Sequence, residues 1–272
     1  MPPRPDELAA DDLDPSAWLH PGVREIHRDD VLWVLSKPAG VLSHPNPPAS
    51  EAGGALLRAP YDAERKLFRL SVPGRPQQQV HLLHRLDRET SGLILCALEA
   101  GAAASVRDAL FRREVEKEYR GLVLGVPRRD EGEWEDALEK RSRRGRLEVR
   151  VRPRGRPNAA SRFRVVERLP RAGLSLLELV PRSGRTHQLR VQAASRGLPL
   201  AGDERYGDFT ANRFLAERAG LERMFLHASR LVLRHPVTGE RLECECPLDG
   251  ELERVVARLR DLDRPVPRRR GR

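Results

Sequence analysis

Cysteine is scarce in this chain: Cys96, Cys244 and Cys246 are the three in 272 residues. Their number and spacing exclude a disulfide framework and a zinc site built from paired cysteine clusters. Cys96 lies within the apolar run LILCAL, and Cys244 and Cys246 point to one side of an expected strand, RLECECPL, so all three read as reduced structural thiols. Long apolar runs are missing as well. None approaches the ~20 residues that a membrane span needs, and the polar, acidic start MPPRPDELAADDLDPS is unlike a signal peptide. A soluble, cytoplasmic protein is the expectation. Also lacking are GxxxxGKS/T, GxGxxG, HExxH and GxSxG, which removes the commonest nucleotide, dinucleotide, metalloprotease and hydrolase readings.

Lysine is rare too, supplying four of the 50 basic residues, so the formal net charge of +10 is carried by arginine. Clustered cations favour a polyanionic partner through counterion release, and arginine suits bidentate phosphate contacts. A skew of this kind also follows from genome base composition, so charge supports nucleic acid binding without proving it. Its distribution says more. RSRRGRLEVRVRPRGR (141 to 156) and RPVPRRRGR (264 to 272) concentrate positive charge, while the first sixteen residues are net acidic.

A 39% hydrophobic fraction supports a real core. VLWVLSKPAGVLSHP (31 to 45) predicts a strand broken into a loop, and NPPASEAGG begins an insertion or loop running from 46 to 80. HRLDRETSG predicts a loop feeding the buried strand LILCAL; AAASVRDALFRREVEK predicts a helix with Val106, Leu110 and Phe111 on its apolar face. Tyr119 falls in a further strand, the stretch from Arg128 to about Arg156 suits a hairpin or RNA-facing insertion, and RFRVVERL and LSLLELV predict two strands. Thr186 is placed to cap a helix that Gly197 ends, another helix is expected near ANRFLAERAG, and Asp249 opens a last one bearing Leu252, Val255, Val256, Leu259 and Leu262 on one face. Strands and helices mix without doubly wound alternation, so the fold class is α+β with a mixed, mainly antiparallel sheet. The expected organisation is a flexible segment over 1–22, a catalytic domain over 23–262 and a basic tail over 263–272.

The chemistry centres on Asp87, set between Arg85 and Arg88 in a loop that enters a buried strand. Such a loop is a rigid mount, and neighbouring cations keep a carboxylate ionised and available as a nucleophile. HRLDRETSG resembles the signature loop of the RluA family of RNA pseudouridine synthases. Five further blocks in the same order are similar to that family: Lys37 to Gly40, Lys117-Glu118-Tyr119, SGRTHQLR (183 to 190), GDERYG (202 to 207) and LHASRLVLRHPVTG (226 to 239).

The resemblance implies a mainly antiparallel sheet in two halves around a basic catalytic cleft, and an isomerase that turns RNA uridine into pseudouridine without a cofactor or metal. The C1′ to N1 bond breaks, the uracil turns, and the ring rejoins through C5. By the resemblance Asp87 is the catalytic residue, acting at C1′, at C6 or by assisting elimination. Tyr119 stacks on the target base, Arg185 pairs with the carboxylate, and Arg85 fills the space left by the flipped nucleotide. Arg88, Lys37 and Arg190 are expected RNA contacts; His187 reads as structural. GDERYGD gathers Asp203, Glu204 and Asp208, read as a solvated or capping cluster rather than a metal site. The small N-terminal RNA-binding domain of many relatives is expected to be lacking, which leaves substrate selection to the catalytic domain, the 46–80 insertion and the arginine-rich 141–156 stretch. The partner is expected to be ribosomal RNA, favoured slightly over transfer RNA, with the protein a monomer. A catalytically silent RNA-binding or assembly factor of the same fold is the alternative, and it would not need Asp87, Tyr119 and Arg185 together.

Overall fold

The computed structural model describes residues 15–45, 54–71, 76–143 and 146–265. Most of the expected basic tail and of the expected flexible start therefore lie outside the described residues, as do residues 46–53 and 72–75 of the insertion and the tip of the arginine-rich hairpin.

In chain order the strands open with β1 (Arg24–Arg28), β2 (Leu32–Lys37), β3 (Tyr61–Asp62), β4 (Leu67–Leu70), β5 (Gln78–Leu82) and β6 (Ser91–Ala97), followed by α1 (Ala100–Arg112). Next come β7 (Glu116–Leu124), β8 (Glu131–Asp136), β9 (Leu138–Arg143), β10 (Arg146–Val151), β11 (Ala159–Leu169), β12 (Leu174–Pro181), α2 (Gln188–Ala194) and α3 (Phe209–Ala219). The chain ends with β13 (Leu226–Arg234), β14 (Arg241–Glu245) and α4 (Gly250–Asp263). The α+β class holds, and within the expected single domain the chain divides into two compact units. The first comprises Met1–Lys117 with Ala228–Pro247, the second Glu118–His227 with Leu248–Arg272.

In the first unit β2 and β6 pair antiparallel from Leu32↔Ala97 to Lys37↔Gly92, and every residue of both is buried. This explains their sequences: a strand covered on both faces reads as a continuous apolar run, without alternation. β1 adds to β2, and β5, β4 and β3 follow β6. The segment from 61 to 82 thus supplies three strands where an insertion was expected. A 3-10 turn at Pro15–Trp18 buries Trp18, so the packed fold begins before residue 23. Cys96, Cys244 and Cys246 are buried free thiols; Cys246 Sγ sits 3.3 Å from Ser36 Oγ.

Gly92 carries a specific requirement. Its φ is +106°, and a Cβ there would overlap the Ala228 backbone, so the Thr-Ser-Gly turn can enter β6 only with glycine at this position. In α1 Val106 is buried, but Phe111 is 86% exposed, contrary to the expected apolar face; the helix ends one residue later at Arg112, with Arg113 as a left-handed C-cap.

The second unit is built on antiparallel β7-β12-β11-β8, with β9 and β10 forming a separate two-stranded hairpin. The stretch from Arg128 to about Arg156, expected as a hairpin or RNA-facing insertion, is three strands, β8, β9 and β10. Leu122, Leu174, Leu176, Leu215, Phe225 and the buried face of α4 form its main core. Leu252, Val255, Val256 and Leu259 are buried as expected, while Leu262 in the last turn is 44% exposed. Asp249 caps α4 by accepting the Leu252 N–H.

Candidate active site

Asp87 is half-buried on the loop from β5 to β6. The loop is fixed at both ends. Leu83 N–H donates to Leu95 O at 3.1 Å, Leu95 N–H donates to His84 Nε2 at 3.1 Å, and Thr90 N–H closes a turn on Asp87 O at 3.1 Å. Leu83, Leu86 and Thr90 turn inward, leaving Arg85 and Arg88 exposed on either side of the carboxylate.

A second loop, Pro38 to Pro45, braces the first. Ser43 Oγ accepts from Leu86 N at 3.0 Å and donates to Leu86 O at 2.9 Å; Gly40 N–H donates to Arg88 O at 2.8 Å, and Arg88 Nε returns a bond to Gly40 O at 3.0 Å. Lys37 lies beneath both loops at 0% exposure. Its ammonium donates to Pro38 O, Val41 O and Arg88 O at 3.0, 2.7 and 3.2 Å. An ammonium has three donors, and here each is directed at a carbonyl of the loop pair. The expectation that Lys37 contacts RNA is thereby corrected: burial and three internal acceptors make it a loop brace.

Arg85 Nη1 lies 3.1 Å from His44 Nε2, and the His44 ring stacks on Tyr61 with centroids 4.9 Å apart and planes 9° apart. Tyr61 in turn meets Phe68 at 4.8 Å. The exposed guanidinium is thus held by a stacked aromatic column. Below the loop, desolvation first and the nearby Lys117 cation second push the His84 imidazole down to about 3, so its neutral ring stands as acceptor for the Leu95 amide. Desolvation also lowers Lys117 from the ordinary lysine value.

The second unit holds the other two residues of the expected catalytic group. Tyr119 is buried on β7 opposite Leu179 of β12. Arg185 is exposed in the turn before α2, with Nε donating to Asn158 O at 3.2 Å. Two buried amides build that turn. Gln188 Oε1 accepts from Ser183 Oγ and Arg185 N at 2.8 and 3.1 Å, while its Nε2 donates to Ala160 O and Ser161 Oγ at 2.9 and 2.8 Å. Gln192, one helical turn on, accepts from Ser161 Oγ at 2.7 Å and donates to Asp136 Oδ2 at 2.8 Å. The expected Thr186 cap does not form. His187 is the N-cap residue in the left-handed conformation (φ 52°), because the buried Gln188 side chain pins the preceding turn.

Arg190 is a second correction. Its guanidinium forms a bidentate pair with Asp203, both bonds 2.8 Å, with side chains 6% and 0% exposed. Asp203 also accepts from the Arg205 and Tyr206 amides at 2.9 and 3.1 Å; burial raises its pKa, but the Arg190 pair and these amides outweigh it and hold the carboxyl below the usual range. A guanidinium so enclosed anchors the GDERYG turn rather than gripping phosphate. Asp208 caps α3 through Ala211 N. His187 Nδ1 is 2.8 Å from Tyr206 Oη, which accepts the Val149 amide at 3.1 Å, tying α2 to the β9-β10 hairpin.

Comparison with known proteins decides the family. Residues 31–195 match the RNA pseudouridylate synthase family. The chain belongs to the RluA family of RNA pseudouridine synthases. Ribosomal large subunit pseudouridine synthase C of Vibrio vulnificus strain CMCP6 is 35% identical over 241 residues, covering 86% of this chain and 69% of that one. The protein of that name from Escherichia coli K12 is 35% identical over 246 residues, covering 87% and 70%. Among solved structures, Human RNA Pseudouridylate Synthase Domain Containing 4 superposes with a TM-score of 0.64 at 26% identity, covering 87% of this chain and 92% of that one. Human RNA Pseudouridylate Synthase Domain Containing 1 gives 0.62 at 26% identity, covering 88% and 95%. As an RluA-family member the chain is an RNA pseudouridine synthase, an isomerase acting on RNA.

Ser43, His44 and His84 support the Asp87 loop in the first unit, and Asn158, Gln188 and Gln192 support the Arg185 turn in the second. Ser43 and His44 lie in the same KPAGVLSHP run as Lys37. The i, i+4 spacing of Gln188 and Gln192 puts two amides on one helix face, a signal for a buried polar network.

Proposed function

We propose that this enzyme isomerises uridine in large-subunit ribosomal RNA, with Asp87 as its catalytic carboxylate. The observation that carries the proposal is the braced loop pair, which holds Asp87 half-exposed between two exposed arginines while turning every apolar neighbour inward. Catalysis by one carboxylate needs such a fixed mount, because small displacements from attack geometry cost large factors in rate. Asp87 acts on the nucleoside as nucleophile or base as the C1′ to N1 bond breaks. The C5 proton leaves once C1′ to C5 has formed, and N1 gains one, so atoms and charge balance. Tyr119 stacks on the target base, and Arg185 is the arginine of the proposed catalytic group. Arg85, pre-positioned by His44 and the Tyr61 column, fills the place of the flipped nucleotide. The printed names of the relatives support ribosomal RNA over transfer RNA.

The test is tritium release from RNA labelled at uridine C5, with ribosomal and transfer RNA assayed separately in EDTA. Wild type is expected to release label from ribosomal RNA and Asp87→Asn to be at least about 1,000-fold slower, as for loss of a catalytic nucleophile. No release by wild type despite tight RNA binding would sink the proposal in favour of a silent binding factor; release that needs a divalent ion would also overturn it.

A further inference from the structure

We propose that the loop Arg152 to Pro157, between β10 and β11, is a preformed phosphate clamp for the substrate RNA, joined to Arg185 through Asn158. The inference rests on the RNA-modifying reading above and names a surface that reading does not use.

Arg152, Arg154 and Arg156 alternate with Pro153, Gly155 and Pro157, and all three arginines are exposed. None pairs with a carboxylate among the described residues, whereas five arginines on other elements of this unit are neutralised. Arg150 and Arg141 meet Glu139 at 2.7 and 3.0 Å, Arg196 meets Asp136 at 2.8 Å, Arg182 meets Glu133 at 2.8 Å, and Arg164 meets Glu178 at 2.8 Å. A surface that spends its acids on flanking arginines leaves this loop as local uncompensated charge.

The loop is also stiff. Arg152 N–H donates to Ala137 O at 2.8 Å, Gly155 N–H to Arg152 O at 3.2 Å, and Asn158 N–H to Asp136 O at 3.0 Å. The Asn158 side chain makes a reciprocal pair with the Leu138 backbone, 3.0 Å each way. Gly155 is pressed against the chain, since a Cβ there would overlap Ala137 Cβ. Two prolines fix further torsions. Arg185 Nε then accepts no freedom either, donating to Asn158 O at 3.2 Å. Three guanidiniums on a rigid turn suit phosphate, because planar donors match its oxygens and little ordering entropy remains to be lost on binding.

The test is RNA binding by the full chain as a function of salt, with ribosomal RNA transcripts, comparing wild type, the triple variant Arg152→Ala/Arg154→Ala/Arg156→Ala, the triple Arg→Lys variant, and a charge-matched control at exposed arginines elsewhere, Arg24→Ala/Arg213→Ala/Arg254→Ala. Each lost phosphate contact lowers the slope of log affinity against log salt by about 0.7 to 0.9. The loop variant is expected to lose about two such contacts, with the lysine variant keeping most of the slope and the control all of it. Where turnover is measured, KM is expected to rise about tenfold with kcat nearly unchanged, as when binding common to ground and transition states is removed. An unchanged slope in the loop variant, or an equal loss in the control, overturns the clamp. Binding that shows the loop effect in a protein with no isomerase activity would leave the clamp standing and remove the functional reading instead.

Discussion

The two units hold their functional loops by opposite means. In the first, one buried cation braces Asp87: Lys37 spends three donors on carbonyls of two facing loops, and the exposed arginines beside Asp87 are left outside. In the second, two neutral amides brace the Arg185 turn: Gln188 and Gln192 each accept and donate, and the Asp136 carboxylate that Gln192 meets is neutralised by Arg196. The difference follows from what must be satisfied. At Lys37 the Asp87 loops direct three carbonyls, which an ammonium meets; the Arg185 turn presents donors and acceptors together, which an amide meets. The buried charge of the second unit is placed one turn away, as the closed Arg190–Asp203 pair.

The largest effect is expected where that pair is broken. Asp203→Ala leaves the Arg190 guanidinium buried and unpaired, and denaturant unfolding should show a loss of about 3 to 5 kcal/mol. Adding Arg190→Met should recover much of this, since replacing both partners by apolar groups removes the stranded charge; a double variant no better than the single would show that the pair does more than neutralise itself. Next comes Lys37→Met, which keeps the volume but strips three carbonyls of their donor. A loss of about 2 to 4 kcal/mol is expected, together with reduced turnover at unchanged RNA affinity. Unchanged turnover would show that the Asp87 loop keeps its geometry without the cation.

The smallest effect separates the units by pH. Because His84 is held near 3 in the fold, its neutral ring stabilises the first unit above about pH 6.5, and that contribution is lost as pH falls from there toward 3. Between pH 7 and 5 this amounts to about 2 kcal/mol, at ~1.4 kcal/mol per pKa unit. His20 and His81, also lowered by burial first, add in the same direction, so the comparison is between wild type and His84→Gln, whose amide oxygen can still accept the Leu95 amide. The variant should show a flatter stability profile over this range. An identical profile would exclude His84 as a source of acid sensitivity.

Much of this was legible in the sequence. HRLDRETSG pointed to a rigid loop feeding a buried strand, and the ordered blocks from Lys37 to Gly239 carried the family. Asp249 and the apolar period after it marked α4. Phe111 misled because its helix stops within a residue, leaving nothing to cover the ring. Thr186 misled because a good capping residue does not form a cap when a neighbour's buried side chain has already fixed the turn.

By itself the sequence determined the buried strands and the family, because those depend on residue type, local order and hydrophobic period. Which arginine or lysine faces solvent was decided only by tertiary structure. Lys37, Arg85, Arg88 and Arg190 all read as cations for RNA, yet Lys37 meets three carbonyls and Arg190 meets Asp203, each beyond the reach of local pattern. A charge stays available to a ligand only where the fold supplies no partner for it, and partners are set by chain segments far apart in sequence.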